Sequence, residues 1–323
     1  MAEPGRSAFN RHADALRVRH GKRVWRIGLD GGFSCPNRRG ERGGGGCAYC
    51  APSASRAPYL PPGDLTIRDQ VEAGIAFLRR RYGAELFFPY FQAYSSTFAS
   101  AKLLRERYDE ALEAVRELAP GALRGLVVST RPDCLDEERA GLLASYARSG
   151  LEVWVELGLQ SAHDRSLERL RRGHGWAAYE TARFLLADTG ARMGVHLILG
   201  LPGEGRDEML ETVSRVAATR PEGVKFHDLV LPRGSALAAE YLLGELGLMH
   251  PSRLPALLAD CLERLSPDCE VIRLAADAGA AEILAPSRRL SKEGLYRSVE
   301  AELESRGSTQ GSLWSGRSAP RAS

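Results

Sequence analysis

No uninterrupted apolar run among the 323 residues approaches the roughly 20 needed to span a bilayer, which excludes a helical membrane protein. The N-terminal segment MAEPGRSAFNRHADALRVRHGKR is basic but lacks an apolar h-region, so no secretory signal is read. A cytoplasmic chain with no membrane partner is the expectation. A surplus of one charge is missing too: 44 Lys+Arg against 41 Asp+Glu leave +3, too little to argue for a polyanionic partner. Lysine is scarce, at Lys22, Lys102, Lys225 and Lys292 only, and every other basic side chain is arginine. Arginine suits phosphate and carboxylate recognition, but a GC-rich genome produces the same bias. The six cysteines, with no secretory context, do not read as a disulfide framework. What remains is an ordinary soluble composition, 44% hydrophobic and 26% charged, which rules out a wholly disordered chain.

Short β-rich runs alternate with longer amphipathic segments. Strands are predicted at 24–29, 86–92, 125–129, 153–157, 194–199 and 223–231, with Pro89 making the second irregular. Helices are predicted at 64–82, 102–118, 136–149, 177–189 and 207–218, several closed by Gly or Pro. Six strand–helix repeats point to a parallel α/β fold, a partial (β/α)6 TIM-type barrel open on one side. A doubly wound sheet is the rival. The organisation expected is an N-terminal extension (1–22), a core barrel (23–235), a C-terminal α/β extension (236–306) and a disordered Gly/Ser-rich tail (307–323). Within the extension, helices are predicted near 254–265 and 292–306, and a strand at 270–274.

The strongest local signal is Cys35-x11-Cys47-x2-Cys50, directly after the first strand. In an α/β barrel, the loops at the strands' C-terminal ends carry the chemistry. Three thiolates on a four-iron cluster would leave one iron open, and the glycines 43–46 would let the backbone wrap closely. On the cysteines alone, a Cys3His zinc site completed by His20, His163 or His174 is an alternative. Cys134, Cys261 and Cys269 read as structural thiols.

The loop, with an aromatic before its third cysteine, resembles the cluster loop of radical S-adenosylmethionine (SAM) enzymes. The long first interval matches their YhcC-type subgroup. The resemblance runs from about Arg23 to Leu313 through GLDGGFSCPNRRGERGGGGCAYC, YFQAYSSTF, STRPDCL, EVWVELGLQSAHDRSLERLRRGH, HLILGLPGE and VKFHDLVLPRGSAL. Several segments also resemble the elongator catalytic subunit and coproporphyrinogen oxidases of the radical type. So many ordered segments favour the cluster over zinc. The resemblance implies a [4Fe-4S] cluster on Cys35, Cys47 and Cys50, with SAM on its open iron. It implies SAM cleavage to a 5′-deoxyadenosyl radical that abstracts hydrogen from a substrate.

Carried over residue by residue, the resemblance puts Tyr49 beside the SAM adenine and Gln92 near its amino group. Gln160 and Arg172 become SAM contacts, Arg172 by a bidentate pairing with the carboxylate, and Glu156 of the fourth strand is counted with them as cofactor-binding. Gly200 and Pro202 lie against the adenine. At Gln92 the chain has Gln-Ala-Tyr where many relatives have Gly-Gly-Glu. Ser129 stands where elongator-type relatives have an acid. Glu156, in a run that reads as a buried strand, needs a partner there, for which Arg131 is the candidate. Strand alternation puts Lys225 and His227 on one face, toward the barrel interior. The resemblance further implies an electron donor such as flavodoxin or ferredoxin, and suggests a tRNA base as substrate. A small metabolite or protein substrate, and a non-catalytic metal- or RNA-binding relative, are the alternatives.

Overall fold

The computed structural model describes residues 7–38, 45–50, 57, 59–60, 63, 65–276 and 282–316. Its strands in chain order are β1 (Val24–Leu29), β2 (Leu86–Phe91), β3 (Gly125–Thr130), β4 (Glu152–Gln160), β5 (Arg192–Leu199), β6 (Gly223–Asp228), β7 (Leu231–Pro232), β8 (Glu270–Arg273) and β9 (Ile283–Ala285). Seven of them form one sheet in the order β1-β2-β3-β4-β5-β6-β8, and every pairing in it is parallel. The order never reverses, so the sheet lacks the switch point of a doubly wound fold. It is a partial barrel with β1 and β8 as its edges. β7 and β9 pair antiparallel outside it.

The helices are α1 (His12–His20), α2 (Ile67–Tyr82), α3 (Ala101–Leu118), α4 (Glu137–Arg148), α5 (Asp164–Arg169), α6 (Trp176–Leu186), α7 (Arg206–Ala218), α8 (Ala236–Leu242), α9 (Leu254–Arg264) and α10 (Lys292–Ser305). Side-chain caps fix several starts. Thr66 and Asp69 form a capping box on α2, Ser100 caps α3 and Asp136 caps α4. The caps move the starts by one to three residues from expectation. None of the described helices is long and apolar enough to cross a membrane.

Strand alternation separates two cores. Outward side chains such as Phe87, Val128, Val155, Leu157 and Phe226 join the helices in the main cluster. Inward, Val24, Leu86, Phe88, Val127 and Trp154 close the N-terminal end of the barrel, with Leu16 of α1. α1 was not anticipated, because it buries only His12 and Leu16. It lies between the two sheet edges: Arg11 bridges to Val271 of β8, and Val271 N–H donates to the Asn10 carbonyl at 2.7 Å.

The inner packing leaves no room at Gly125. A Cβ there would lie 1.9 Å from the Glu152 carbonyl oxygen and 2.8 Å from Phe88. The first contact is backbone and cannot swing away. Gly125→Ala is therefore expected to destabilise the protein by at least about 3 kcal/mol, read as a fall in the urea unfolding midpoint.

Pro89 does not make the start of β2 irregular; it interrupts one side of the strand's middle. β2 stays in register with β1 across all six residues. On the β3 side, Phe87 N–H donates to Ala122, and the ladder resumes only at Tyr90–Val127. Two residues on from Phe87, position 89 faces the same neighbour and proline has no N–H to give.

Three expectations need correction. The sixth strand stops at Asp228 and not at 231. The Asp228 carboxylate accepts from Arg289 and from the Ala276 N–H, turning the chain out of the sheet. The strand expected in a separate extension is β8, the barrel's seventh. Residues 307–316, assigned to a disordered tail, are bonded to the body. Gln310 is buried and its amide donates to the Ser266 and Cys269 carbonyls, while Leu313 N–H donates to Glu263. Residues 317–323 lie outside the described residues.

Candidate active site

The cysteine loop leaves β1 at the C-terminal end of the barrel. Two tight turns shape its described parts: Arg38 N–H donates to the Cys35 carbonyl, and Cys50 N–H to the Cys47 carbonyl, both at 2.9 Å. Gly45 and Gly46 have φ of 83° and 85°, a left-handed backbone that favours glycine. Gly43 and Gly44 lie outside the described residues. The Cys47–Cys50 turn is pinned from both sides, as Ala48 N–H donates to Leu170 after α5 and Leu237 N–H of α8 donates to Ala48.

Nitrogen donors converge on the sulfurs. Asn37 Nδ2 lies 3.2 Å from Cys47 Sγ and Arg172 Nη1 3.3 Å from it. Arg131 Nη1 lies 3.9 Å from Cys35 Sγ. Arg131 is held by both oxygens of Asp133 at 2.8 Å, so it is not the partner of Glu156. Burial pushes the Cys47 thiol up, but the Arg172 guanidinium beside it outweighs this and holds it below its ordinary value. Burial, then the charge on Cys47, pushes Cys50 up. His174 is held down to about 3 by burial and by Arg172.

Arg172 reaches this place across a gap in the barrel wall. Its Nη2 donates to the Gly158 carbonyl at 2.6 Å. A Cβ on Gly158 would lie 2.8 Å from both Arg172 Nη2 and Gln160 Nε2. Gln160 sits just beyond a bulge in β4, with φ at 78°, uncommon for a residue other than glycine. Gly158→Ala is thus expected to fold, since both obstacles are mobile side-chain ends. It should displace Arg172 and weaken SAM binding by about tenfold, roughly 1.4 kcal/mol, measured by equilibrium dialysis.

Three buried polar atoms here have no partner among the described residues: Asn37 Oδ1, Arg172 Nε and His174 Nε2. Buried polar atoms normally find partners, so these mark a place built for a polar ligand. The residues present fit the implied cofactors. Thiolates stabilised by N–H donors suit an iron–sulfur cluster, and the free Arg172 Nε suits a carboxylate. Arg172 spends one N–H of each Nη on Cys47 and Gly158, so its Nε–H and one further N–H on each Nη remain for a carboxylate. Among the described residues, no three His, Cys, Asp or Glu side chains could hold a single metal ion. That geometry lends nothing to the zinc alternative.

The other expected contacts divide. Tyr49 packs against an apolar cluster containing Ile198, Leu201, Leu229 and Leu237. Gln92 follows β2, its amide 2.9 Å from where a Gly28 Cβ would stand. Gly200 and Pro202 instead line a cleft of about 1150 Å³ with Met209, Leu246 and Met249, which no cysteine and neither Gln160 nor Arg172 lines. Leu201, in Tyr49's cluster, and Glu204, which accepts from Ser161 Oγ at 2.5 Å beside Gln160, tie that loop to the end of β4 and the cysteine side.

Glu156 is fully buried and its oxygens are taken. One pairs with Arg26; the other accepts from Tyr90 at 2.8 Å, His196 at 2.7 Å and Lys225 at 3.2 Å. The carboxylate thus organises the middle of the barrel, with both oxygens engaged by the protein. Asn37 and Gly158 were missed as site residues: a lone Asn after Cys-Pro and a glycine in a strand carry no signal until their neighbours are known.

The sequence profile described as the radical SAM superfamily matches residues 37–216, and that of the radical SAM C-terminal domain matches 221–305. Protein YhcC of Escherichia coli is 37% identical over 273 residues, 84% of each chain. Protein YtqA of Bacillus subtilis is 32% identical over 305 residues, 93% of this chain and 90% of its own. The archaeal Methanocaldococcus infernus Elp3 structure superposes with a TM-score of 0.67 at 18% identity, covering 89% of this chain and 64% of that one. The protein belongs to the radical SAM superfamily, a class of enzymes that use a [4Fe-4S] cluster and S-adenosylmethionine.

Proposed function

We propose that Cys35, Cys47 and Cys50 hold the [4Fe-4S] cluster and that the enzyme abstracts a hydrogen atom from a substrate bound inside the barrel. The observation that carries this reading is the convergence of Asn37 and Arg172 on Cys47 Sγ, in the loop at the C-terminal end of β1. Once bound, the cluster and SAM supply a 5′-deoxyadenosyl radical. The chain's own residues bind and orient. Arg172 stabilises the thiolate and offers Nε to the SAM carboxylate. Tyr49 and its apolar neighbours give the adenine a dry surface. Gln92 and Gln160 supply amides at the inner rim, and the loop at Gly200 and Pro202 borders the adenine side. A flavodoxin- or ferredoxin-type protein supplies the electron.

Anaerobic reconstitution tests this. The protein should bind about four irons per chain and release 5′-deoxyadenosine with SAM and dithionite. A colourless protein carrying one zinc would sink the proposal. The resemblance to elongator-type enzymes suggests a tRNA base as substrate, whereas the buried Lys225–His227 layer favours a small acidic molecule. Comparing tRNA nucleosides from deletion and parent strains separates the two: a missing modification selects tRNA, and an unchanged profile selects the small molecule.

A further inference from the structure

In the middle of the barrel, two cations meet one buried carboxylate among the described ion pairs. Arg26 and Lys225 share a single carboxylate, Glu156. The layer below is balanced, with Glu152 and Glu270 meeting Arg19 and Arg192. Lys225 is 5% exposed, and its ammonium makes two bonds, to Tyr90 Oη at 3.1 Å and Glu156 Oε2 at 3.2 Å. An ammonium has three N–H donors, so one is left among the described residues.

His227 lies two residues further along β6, on the same inner face, one step nearer the cysteines. Its ring stands 5.7 Å from that of His196. Its Nε2 is buried with no partner among the described residues. Burial and then Lys225 hold His227 well below its ordinary value, so it is neutral near pH 7. Level with Lys225, β4 has Gly158, and the places of missing Cβ atoms at Gly158 and at Gly28 of β1 are taken by the polar ends of Arg172, Gln160 and Gln92. An unbalanced buried cation and an orphaned ring nitrogen are each unfavourable. One oxyanion, accepting from both, relieves the two together.

We propose that Lys225 and His227 form the recognition site for an oxyanion, a carboxylate or phosphate, carried by a small substrate. This rests on the reading that the barrel interior is the reaction chamber, and it names the class of molecule bound there. A flipped neutral base brings no negative charge to this floor. The two residues anchor the substrate, leaving its reacting carbon above them, toward the cysteine side.

Inorganic phosphate and acetate are titrated separately into the reconstituted, SAM-loaded enzyme at constant ionic strength. Binding is read by calorimetry and by the rise in unfolding temperature. Saturable binding is expected, and the tighter of the two probes tells phosphate from carboxylate. Lys225→Met and His227→Leu should each weaken it at least tenfold, while Lys225→Arg retains it. Should Lys225→Met fail to fold, Lys225→Gln and His227→Leu carry the comparison. Absence of saturable binding to the wild type, or equal affinity in the variants, overturns the proposal. SAM cleavage by the same wild-type preparation is measured alongside. Cleavage without anion binding overturns this inference alone; anion binding without cleavage leaves the recognition site standing and overturns the function proposed above.

Discussion

Cys47→Ala protein, reconstituted anaerobically, is expected to hold fewer than about two irons per chain and to release 5′-deoxyadenosine at least about 1000-fold more slowly than wild type. Cys47 is the most buried of the three thiols, and Asn37 and Arg172 both donate to its sulfur. On the proposed assignment, removing the thiolate loses a cluster ligand, and it leaves the Arg172 guanidinium, 6% exposed, without the sulfur it donates to. Iron analysis and the absorbance near roughly 400 nm typical of such clusters read the first loss. The rate of 5′-deoxyadenosine release reads the second. Cys134→Ala is the control. Its thiol is buried and pushed up to about 11 by burial, so it is a poor ligand at neutral pH. It should leave the iron content unchanged.

The barrel and the cysteines were legible because their signals are local. Six β-rich runs separated by amphipathic helices define strand order almost alone, and three cysteines in one loop point to the ligand set proposed above. β8 escaped, since nothing in Glu-Val-Ile-Arg says which sheet it joins; β6 presents the open edge that takes it. α1 escaped because it packs as a plug, with one leucine and one histidine inward, and not as an amphipathic face. The partners of buried charges were least legible. Glu156 was read as buried and in need of a partner, and alternation placed Lys225 on an inner face. Which cation meets which acid depends on residues far apart in sequence, 130 positions for Arg26 and Glu156. Arg131, the sequence's candidate, satisfies Asp133 two residues away.

Glu156→Ala is accordingly expected to lower stability by about 3–5 kcal/mol, the cost of breaking a buried ion pair from one side. Arg26 and Lys225 would lose the one carboxylate they share, and Tyr90 and His196 a hydrogen-bond partner. Glu156→Gln keeps an acceptor but no charge and should fall between the two. The pH dependence identifies the cause. Burial pushes the Glu156 carboxyl up, but Arg26, then Lys225 and His196, outweigh it and hold it well below the usual carboxylate range. As pH falls, the unfolded chain therefore takes up this proton first. The stabilisation is fully present above the unfolded value of about 4.3 and is lost as pH falls below it. Wild type should lose stability steeply there, and Glu156→Ala should show a shallower acid limb. At the other end, burial holds Lys225 down to about 8 although Glu156 pulls it up. Without Glu156 it falls further below its unfolded value of about 10.4. The unfolded state then binds more protons than the native one, so the variant should recover stability as pH rises through this interval. Urea midpoints measured from about pH 2 to 10, which spans the acid limb below about 4.3 and the lysine interval, decide it. A constant offset between wild type and variant across that range would mean that Glu156 acts through packing alone and not through its charge.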